Sequence, residues 1–449
     1  MQKCKWAIII SCIMFLFFLT QRVDAVSARF TPKLIVGYNY NDNVDAVDRS
    51  VVDPTMMQWL DWLVGLEGSL KQRSISFTLG GWAGYSQYLS SSGDWEKIAN
   101  IKAYKYSYYN IDLRGAFQYL NPKFVIDIED KAKRSRDISE LMGTEISEFS
   151  KRHLYFSNDA SFQIRGRLAS RVNGLLRYNY QILNFEEPEN ELVSQPANSY
   201  AHLGYGKIGI RVNPRFVVSV EGQGGERVYD KAKVVSGNQI VEVDVVDYSS
   251  WRALLGVNYR FGPRTSLSVS GGAEGRHYFG ETTRDLKDTT SPVVKIVFNQ
   301  SQRNTYNLKI SGEYAQSTYG QNLYFTYWQA GMYFKYYFVK TLYASVGFTY
   351  KQDYYDRSIL NTEDIWQDDR LDVLYLANAG ITWDALRKHG VPYLSFSLNY
   401  RYRMRDSNID SADDYVPTFT GSHPSYDTEI NYVIFRVVFN PSILIGPYK

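Results

Sequence analysis

Cysteine is almost missing from this chain of 449 residues, and the only two, Cys4 and Cys12, both lie near the N-terminus. From residue 13 onward no disulfide, thiolate metal site or C-x-x-C-H haem attachment can be built, which removes haem-bearing electron carriers and Cys-ligated zinc enzymes. Charge of one sign is missing too: 50 Lys and Arg stand against 47 Asp and Glu. A nucleic-acid binder would need a basic excess, so no nucleic-acid partner is expected. Long apolar runs are absent after the first two dozen residues, and mean hydropathy is −0.34. That excludes a bundle of membrane helices but not a membrane barrel, where only every second residue need be apolar.

The one apolar run sits at the start. Lys3 and Lys5 precede an apolar stretch from about Ala7 to Leu19, and small residues follow at Ala25 and Ala28. This is the pattern of a secretory signal peptide, too short and wrongly flanked for a spanning helix. Residues 1–25 are read as the cleaved leader and 26–449 as a single domain. The leader takes with it Lys3, Lys5, Arg22 and Asp24, so the remainder is nearly neutral.

What is abundant is tyrosine, 38 residues, with 23 Phe and 9 Trp. Rings with one dry and one wet end suit a long amphipathic boundary. The stretch LSFSLNYRYRMR, 394–405, shows how they are arranged. Leu394, Phe396, Leu398, Tyr400, Tyr402 and Met404 alternate with Ser395, Ser397, Asn399, Arg401, Arg403 and Arg405. Successive strand residues point to opposite faces, so this is one apolar and one polar face. Taken alone it fits a soluble sandwich or a membrane barrel.

Eighteen such stretches run along the chain, from LIVGYNYN (34–41) to TEINYVIFRVVF (428–439), and their connections decide between the two. Eight are very short: KQRS, NPK, ASR, NPR, GPR, QRN, VK and a turn through RKHG. The others are mostly longer and polar, and short and long alternate throughout. Short turns at one rim and long loops at the other are the mark of a transmembrane barrel. Twelve residues at about 3.3 Å each, tilted by about 40°, cross about 30 Å, enough for the lipid band. The expected fold is all-β: a transmembrane antiparallel up-and-down barrel of about 18 strands, integral to the outer membrane of a Gram-negative cell. Its direct partners are then the membrane lipids.

In that fold the arginines of 394–405 point into the lumen. Trp251, Ala253, Leu255, Val257, Tyr259 and Phe261 would meet lipid, with Arg252, Asn258 and Arg260 inside. Basic side chains somewhat outnumber acidic ones such as Asp61, Asp127, Glu221, Glu274 and Glu313 on the inferred lining. Arginine offers a planar fork for carboxylate and phosphate. Arg401, Arg403 and Arg405, with Arg252 and Arg276 at a similar height and Arg177 elsewhere on the wall, form the candidate anion-facing patch. The competing reading is that these charges neutralise one another across a wet interior.

Signals for chemistry are thin. Of the five histidines, His202 and His277 fall on the lipid side near the outer rim, where an outer-membrane lipase would place its His and Ser, but they lie on strands that are not neighbours. The loop starting Asp406-Ser-Asn408-Ile-Asp410 opens like a calcium loop, yet has Ser411 for glycine and Pro417 for the final Glu. No metal, cofactor or catalytic residue is expected.

TPKLIVGYNYNDNV (31–44) resembles the opening of a β-barrel porin family of outer-membrane proteins, and KRHLYFSNDASFQIRGRLASRVNGLLRYNYQ (151–181) is similar to that family's central hairpin. Strand number and arginine-bearing lumen are similar, more distantly, to alginate-export barrels. The resemblance implies a porin-like channel, with a role in exporting an anionic polysaccharide or passing other anionic solutes. It also implies recognition by the barrel-insertion machinery through a last strand ending near Phe439, although NPSILIGPYK follows. A non-conducting receptor or scaffold, whose external loops bind partners, stays open beside the channel.

Overall fold

The computed structural model describes residues 27–42, 56–92, 107–135, 154–186, 197–236, 239–279, 288–303, 305–319, 323–355, 370–388, 391–407, 428–441 and 443–445. The leader, most of 184–199, and the 406–426 loop beyond Ser407 therefore lie outside the described residues. In chain order the strands are β1 (Ser27–Asn41), β2 (Met56–Lys71), β3 (Ile75–Ser92), β4 (Tyr108–Leu120), β5 (Phe124–Ser135), β6 (Tyr155–Ala169), β7 (Val172–Phe185), β8 (Ser199–Asn213) and β9 (Phe216–Tyr229). After a short hairpin of β10 (Ala232–Ser236) and β11 (Gln239–Val243) come β12 (Asp247–Gly262), β13 (Thr265–Phe279), β14 (Thr289–Gln302), β15 (Tyr306–Tyr319), β16 (Leu323–Val339), β17 (Leu342–Tyr355), β18 (Arg370–Lys388), β19 (Val391–Ser407), β20 (Thr428–Phe439) and β21 (Ile443–Ile445).

Each barrel strand pairs antiparallel with its neighbours, and β9 pairs with β12 past the β10–β11 hairpin. The ring closes where β1 meets β20, with Leu34 opposite Phe439 and Tyr38 opposite Phe435. The result is a closed barrel of 18 strands. Closure matters because lipid offers no hydrogen bonds, so a strand edge at membrane depth would leave its backbone groups unpaired.

The two faces sort as the alternation predicts. Along β12, Trp251, Leu255, Val257, Tyr259 and Phe261 are exposed outward, Leu255 by 66%. Their neighbours across the sheet are equally oily: Leu255 lies between Val220 and Gly271, and Val257 between Val218 and Val269. On a soluble protein so continuous an apolar coat would be an aggregation hazard; on a barrel it is the lipid contact. On β2 the same rule exposes Trp62, Val64 and Leu66 and buries Asp61 and Leu63 inside.

The short turns owe their shape to particular residues. In Asn121-Pro122-Lys123 and Asn213-Pro214-Arg215 the asparagine Oδ1 accepts the amide of the basic residue two positions on, at 3.0 and 2.8 Å. Proline presets the intervening φ, and the side chain caps the turn. Register shifts follow several of these hairpins, at Arg167/Ala169, Arg211/Asn213, Arg260/Gly262 and Tyr337/Val339. Bulges at a barrel rim let the wall bend sharply into the turn.

Some elements differ from the sequence reading. β1 starts at Ser27 rather than Leu34, because Ala28–Phe30 still find partners in Leu70–Gly68. β20 ends at Phe439 as expected, but beyond it a separate short strand, Ile443–Ile445, pairs with Phe30–Ala28. The β10–β11 hairpin was not expected, and its five-residue arms alternate too briefly to stand out. Glu429, the acidic residue sharing parity with Phe435, sits opposite Met404 beside the outer end of β20, where a charge can reach water.

If the exterior is lipid-facing, Leu255→Arg should cost about 2–4 kcal/mol in folding into bilayers. Thr78→Arg, on the lumen face opposite Ser69 and Ala116, should fold nearly as the parent does. Urea titrations in liposomes measure both.

Candidate functional site: the barrel interior

The lumen has two unlike halves. Toward the outer rim many inward side chains are buried, among them Asn39, Met57, Asp61, Ser86, Tyr155, Ala201, Val293, Asp372 and Arg405. Toward the short turns inward residues such as Arg260, Lys309 and Arg436 are exposed.

One stretch of the outer-half wall is knit by a polar network. Asn39 donates to Asp61 Oδ2 at 2.7 Å, the Ser86 hydroxyl donates to Asp61 Oδ1 at 2.5 Å, and Asn110 donates to Ser86. Tyr432 donates to Asn39 at 3.2 Å. Beside this network Tyr88, Trp59 and Tyr432 stack in a row, with ring centroids 5.2 and 5.7 Å apart. The Arg401 guanidinium lies 5.8 Å from the Tyr432 ring centre. Residues from opposite ends of the chain meet here only because β1 joins β20, so the row is invisible along any one strand.

The opposite stretch, β12 to β19, carries a charged belt. Arg252 grips Glu274 through Nε at 2.7 Å and lies 3.9 Å from Glu313, which also takes Lys295 at 3.3 Å. Glu274 accepts the Gln316 amide at 2.5 Å. Lys351 pairs with Asp353 at 2.7 Å and lies close enough to Arg403 and Arg405 to feel their charge. Arg405 approaches Asp372 at 3.9 Å. Beside the belt a cavity of about 340 Å³ is lined by Tyr205, Glu221, Arg252, Ser270 and Lys295, among others.

The six arginines singled out from the sequence therefore have different surroundings. Arg252 is tied to Glu274. Arg276, two residues further along β13, lays its guanidinium 5.0 Å from the centre of the Tyr248 ring. Arg403 and Arg405 belong to the belt, and Arg401 projects exposed beside Tyr432. Arg177 stands apart on β7, exposed, its Nε donating to Asn179 at 2.7 Å. Arg401, Arg403 and Arg405 share one strand face, whereas Arg252 and Arg177 occupy other walls.

Elsewhere the lining largely neutralises itself. Arg114 pairs with Glu129 at 2.6 Å, Arg165 with Asp127 at 3.3 Å and Lys33 with Glu67 at 2.5 Å, while Lys207 and Tyr205 both bind Glu221. Several cations with no acidic partner among the described residues lie in the inner half, among them Arg260, Arg264, Arg303, Lys309, Lys340 and Arg436; Arg177 and, in the outer half, Arg276 have none either. The signal was present in the sequence, since each of the eight short turns holds Lys or Arg and none holds Asp or Glu.

On the lipid side near the outer rim, His202 accepts or donates at Nδ1 to the Tyr178 hydroxyl at 2.6 Å, within a cluster that includes Tyr180 and Tyr200. His277 Nδ1 lies 2.7 Å from Asp288, whose carboxyl it holds below the usual range. The register sets Ser249 directly opposite His277, a neighbour that sequence spacing did not reveal. No hydrogen bond joins that hydroxyl to the imidazole, so the serine is not activated as a nucleophile would be. Among the described residues no group of three or more His, Cys, Asp or Glu could hold a metal.

No protein-family model and no curated protein matches the chain. Among solved structures it is similar to OccAB4 of Acinetobacter baumannii, at 11% identity over 94% of this chain and 99% of that one, TM-score 0.46. It is similar to OccK1 (OpdK) of Pseudomonas aeruginosa at 10% identity over 93% and 99%, TM-score 0.46. The siderophore receptor PirA of Pseudomonas aeruginosa aligns at 11% identity over 94% and 81%, TM-score 0.41. The barrel assignment rests on the strand pairing itself.

Two outcomes are expected from this geometry. Glu274→Gln strips the main charged partner from a partly buried guanidinium and should cost about 1–3 kcal/mol, read as a lower urea midpoint in liposomes. A serine-directed fluorophosphonate should leave the folded barrel unlabelled; labelling that disappears in Ser249→Ala would instead reopen the lipid-acting reading.

Proposed function

We propose that the chain is an outer-membrane channel, porin-like, that passes anionic solutes, with an anionic polysaccharide as the larger candidate cargo. The observation that carries this reading is the sign of the uncompensated lumen charge. In a barrel of this strand number the bore is wide enough for water, and its acids are mostly tied to bases while several inner-half cations are not. A fixed positive potential in a narrow aqueous path raises the local anion concentration and lowers that of cations. Arg177 and Arg401, both exposed to the bore, are then points that a passing carboxylate or phosphate would touch. Arg252, Arg403 and Arg405 lie in the paired belt, and Arg276 rests over the Tyr248 ring. The polysaccharide itself rests on the sequence resemblance alone.

A second reading is a non-conducting receptor or scaffold. It is favoured by one observation, the burial of many inward residues in the outer half. In either case the oily exterior makes lipids the direct partner, and Phe439, on the outward face of β20, remains the residue proposed for recognition during insertion.

Reconstituted in planar bilayers under a potassium chloride gradient, the barrel should conduct with a reversal potential of anion-selective sign. Arg177→Glu combined with Arg401→Glu should shift that potential toward cations. A barrel that inserts and folds but shows no conductance steps would favour the scaffold.

A further inference from the structure

The inner mouth holds a feature that neither reading requires. Between the turns that follow β12, β14 and β16 and the end of β18 lies a cavity of about 500 Å³. Its lining includes Arg264, Arg303, Lys340 and Arg387, with Gln302 and Tyr337. Arg264, Arg303 and Lys340 have no acidic partner among the described residues. Arg387 donates to the Lys340 carbonyl at 3.2 Å and lies 4.0 Å from Asp384, which also accepts the Ser395 hydroxyl. Four cations thus face one cavity with a single acid near its edge. Like charges brought this close repel unless something compensates them.

The register fixes which way the cavity faces. Tyr337 shares its face with Lys335, whose ammonium sits 3.6 Å from the Tyr343 ring centre. That is the lumen face, because it is the one that carries Gln329 and Lys351 further along. The cavity therefore opens to the mouth of the bore, away from the lipid coat. Its size lies in the range of small-ligand sites, about 300–1,000 Å³, far below what a folded protein would need.

We propose that this cavity is a binding site for a polyvalent anion, a free solute or oligomer bearing two or more carboxylate or phosphate groups, and that it loads the bore from the periplasmic side. The guanidinium forks of Arg264 and Arg303 suit paired carboxylate oxygens, and Lys340 adds a point charge. Gln302 offers hydrogen bonds to hydroxyls, and the Lys335 ammonium, 4.9 Å from the Tyr337 ring centre, adds positive charge to the same wall. The charge pattern of the whole chain favours this side. Connections at the other rim are rich in acid, as in DRSILNTEDIWQDD (356–369), while the short turns have none. An anion arriving from the periplasm meets bases first. The site deepens the channel reading by naming its entry point, and it is tested separately from conduction.

The experiment uses the folded, detergent-solubilised barrel and trigalacturonate as probe, with maltotriose as the uncharged control, by isothermal titration calorimetry. Trigalacturonate should bind and maltotriose should not, with affinity falling as salt rises. The triple variant Arg264→Gln/Arg303→Gln/Lys340→Gln should weaken binding by about tenfold, the scale of three exposed charge contacts, while Lys231→Gln, beside Asp244 and away from both the cavity and the arginine patch, should leave it unchanged. Circular dichroism confirms that each variant keeps its strands. Absence of binding, or binding that the triple variant leaves intact, overturns the site. So does competition in which phosphatidylglycerol in nanodiscs displaces the probe, since the cavity would then serve lipid headgroups. A barrel that binds the probe but never conducts keeps the site and removes the channel; one that conducts without binding does the reverse.

Discussion

The constraint on which the rest depends is the hydrogen-bond closure of first strand to last. In a bilayer no solvent is available to the backbone, so every amide and carbonyl at membrane depth must be answered within the wall. The pairing of β1 with β20, extended by Ile443–Ile445, removes the two edges that an open up-and-down sheet would leave. Once the ring is closed, each side chain has two choices, lipid or lumen, and parity makes the choice. Apolar burial in the usual sense is small: the side chains that would fill a soluble core, such as Leu255, Val64 and Leu176, are instead among the most exposed.

That inversion turns the interior into a problem of charge. The wall answers it in the outer half by pairing, as Arg252 with Glu274 and Lys351 with Asp353, and by a small polar network around Asp61. In the inner half it leaves cations standing. Bases therefore mark the short turns, whereas the long connections are rich in acid in sequence. Field lines inside a low-dielectric wall are focused along the bore, so the inner-half cations act there more strongly than the same charges on an open surface would.

The fold was legible because its evidence is periodic and local. Alternation in 394–405 or 251–261 needs only neighbouring residues, and the alternation of short and long connections needs only their lengths. The interior was less legible because its partners lie across strands. Arg403 and Arg405 looked like an isolated run of like charge along β19; Asp372, Asp353 and Lys351 come beside them only through the register of β17, β18 and β19. The same holds for Trp59 and Tyr432, joined across β1, and for Ser249 opposite His277. The basic turns were the exception. Arg73, Lys123, Arg171, Arg215, Arg264, Arg303 and Lys340 are visible residue by residue, but their meaning appears only when all the turns are placed on one rim.

Because every residue after Cys12 is something other than cysteine, the inside-out arrangement can be probed one position at a time. Single cysteines placed along β12 at residues 251 to 260 would be exposed to a water-soluble maleimide in reconstituted barrels. Positions 252, 258 and 260 should react, and positions 251, 255 and 257 should be shielded by lipid. Uniform reactivity, or the opposite alternation, would contradict the account.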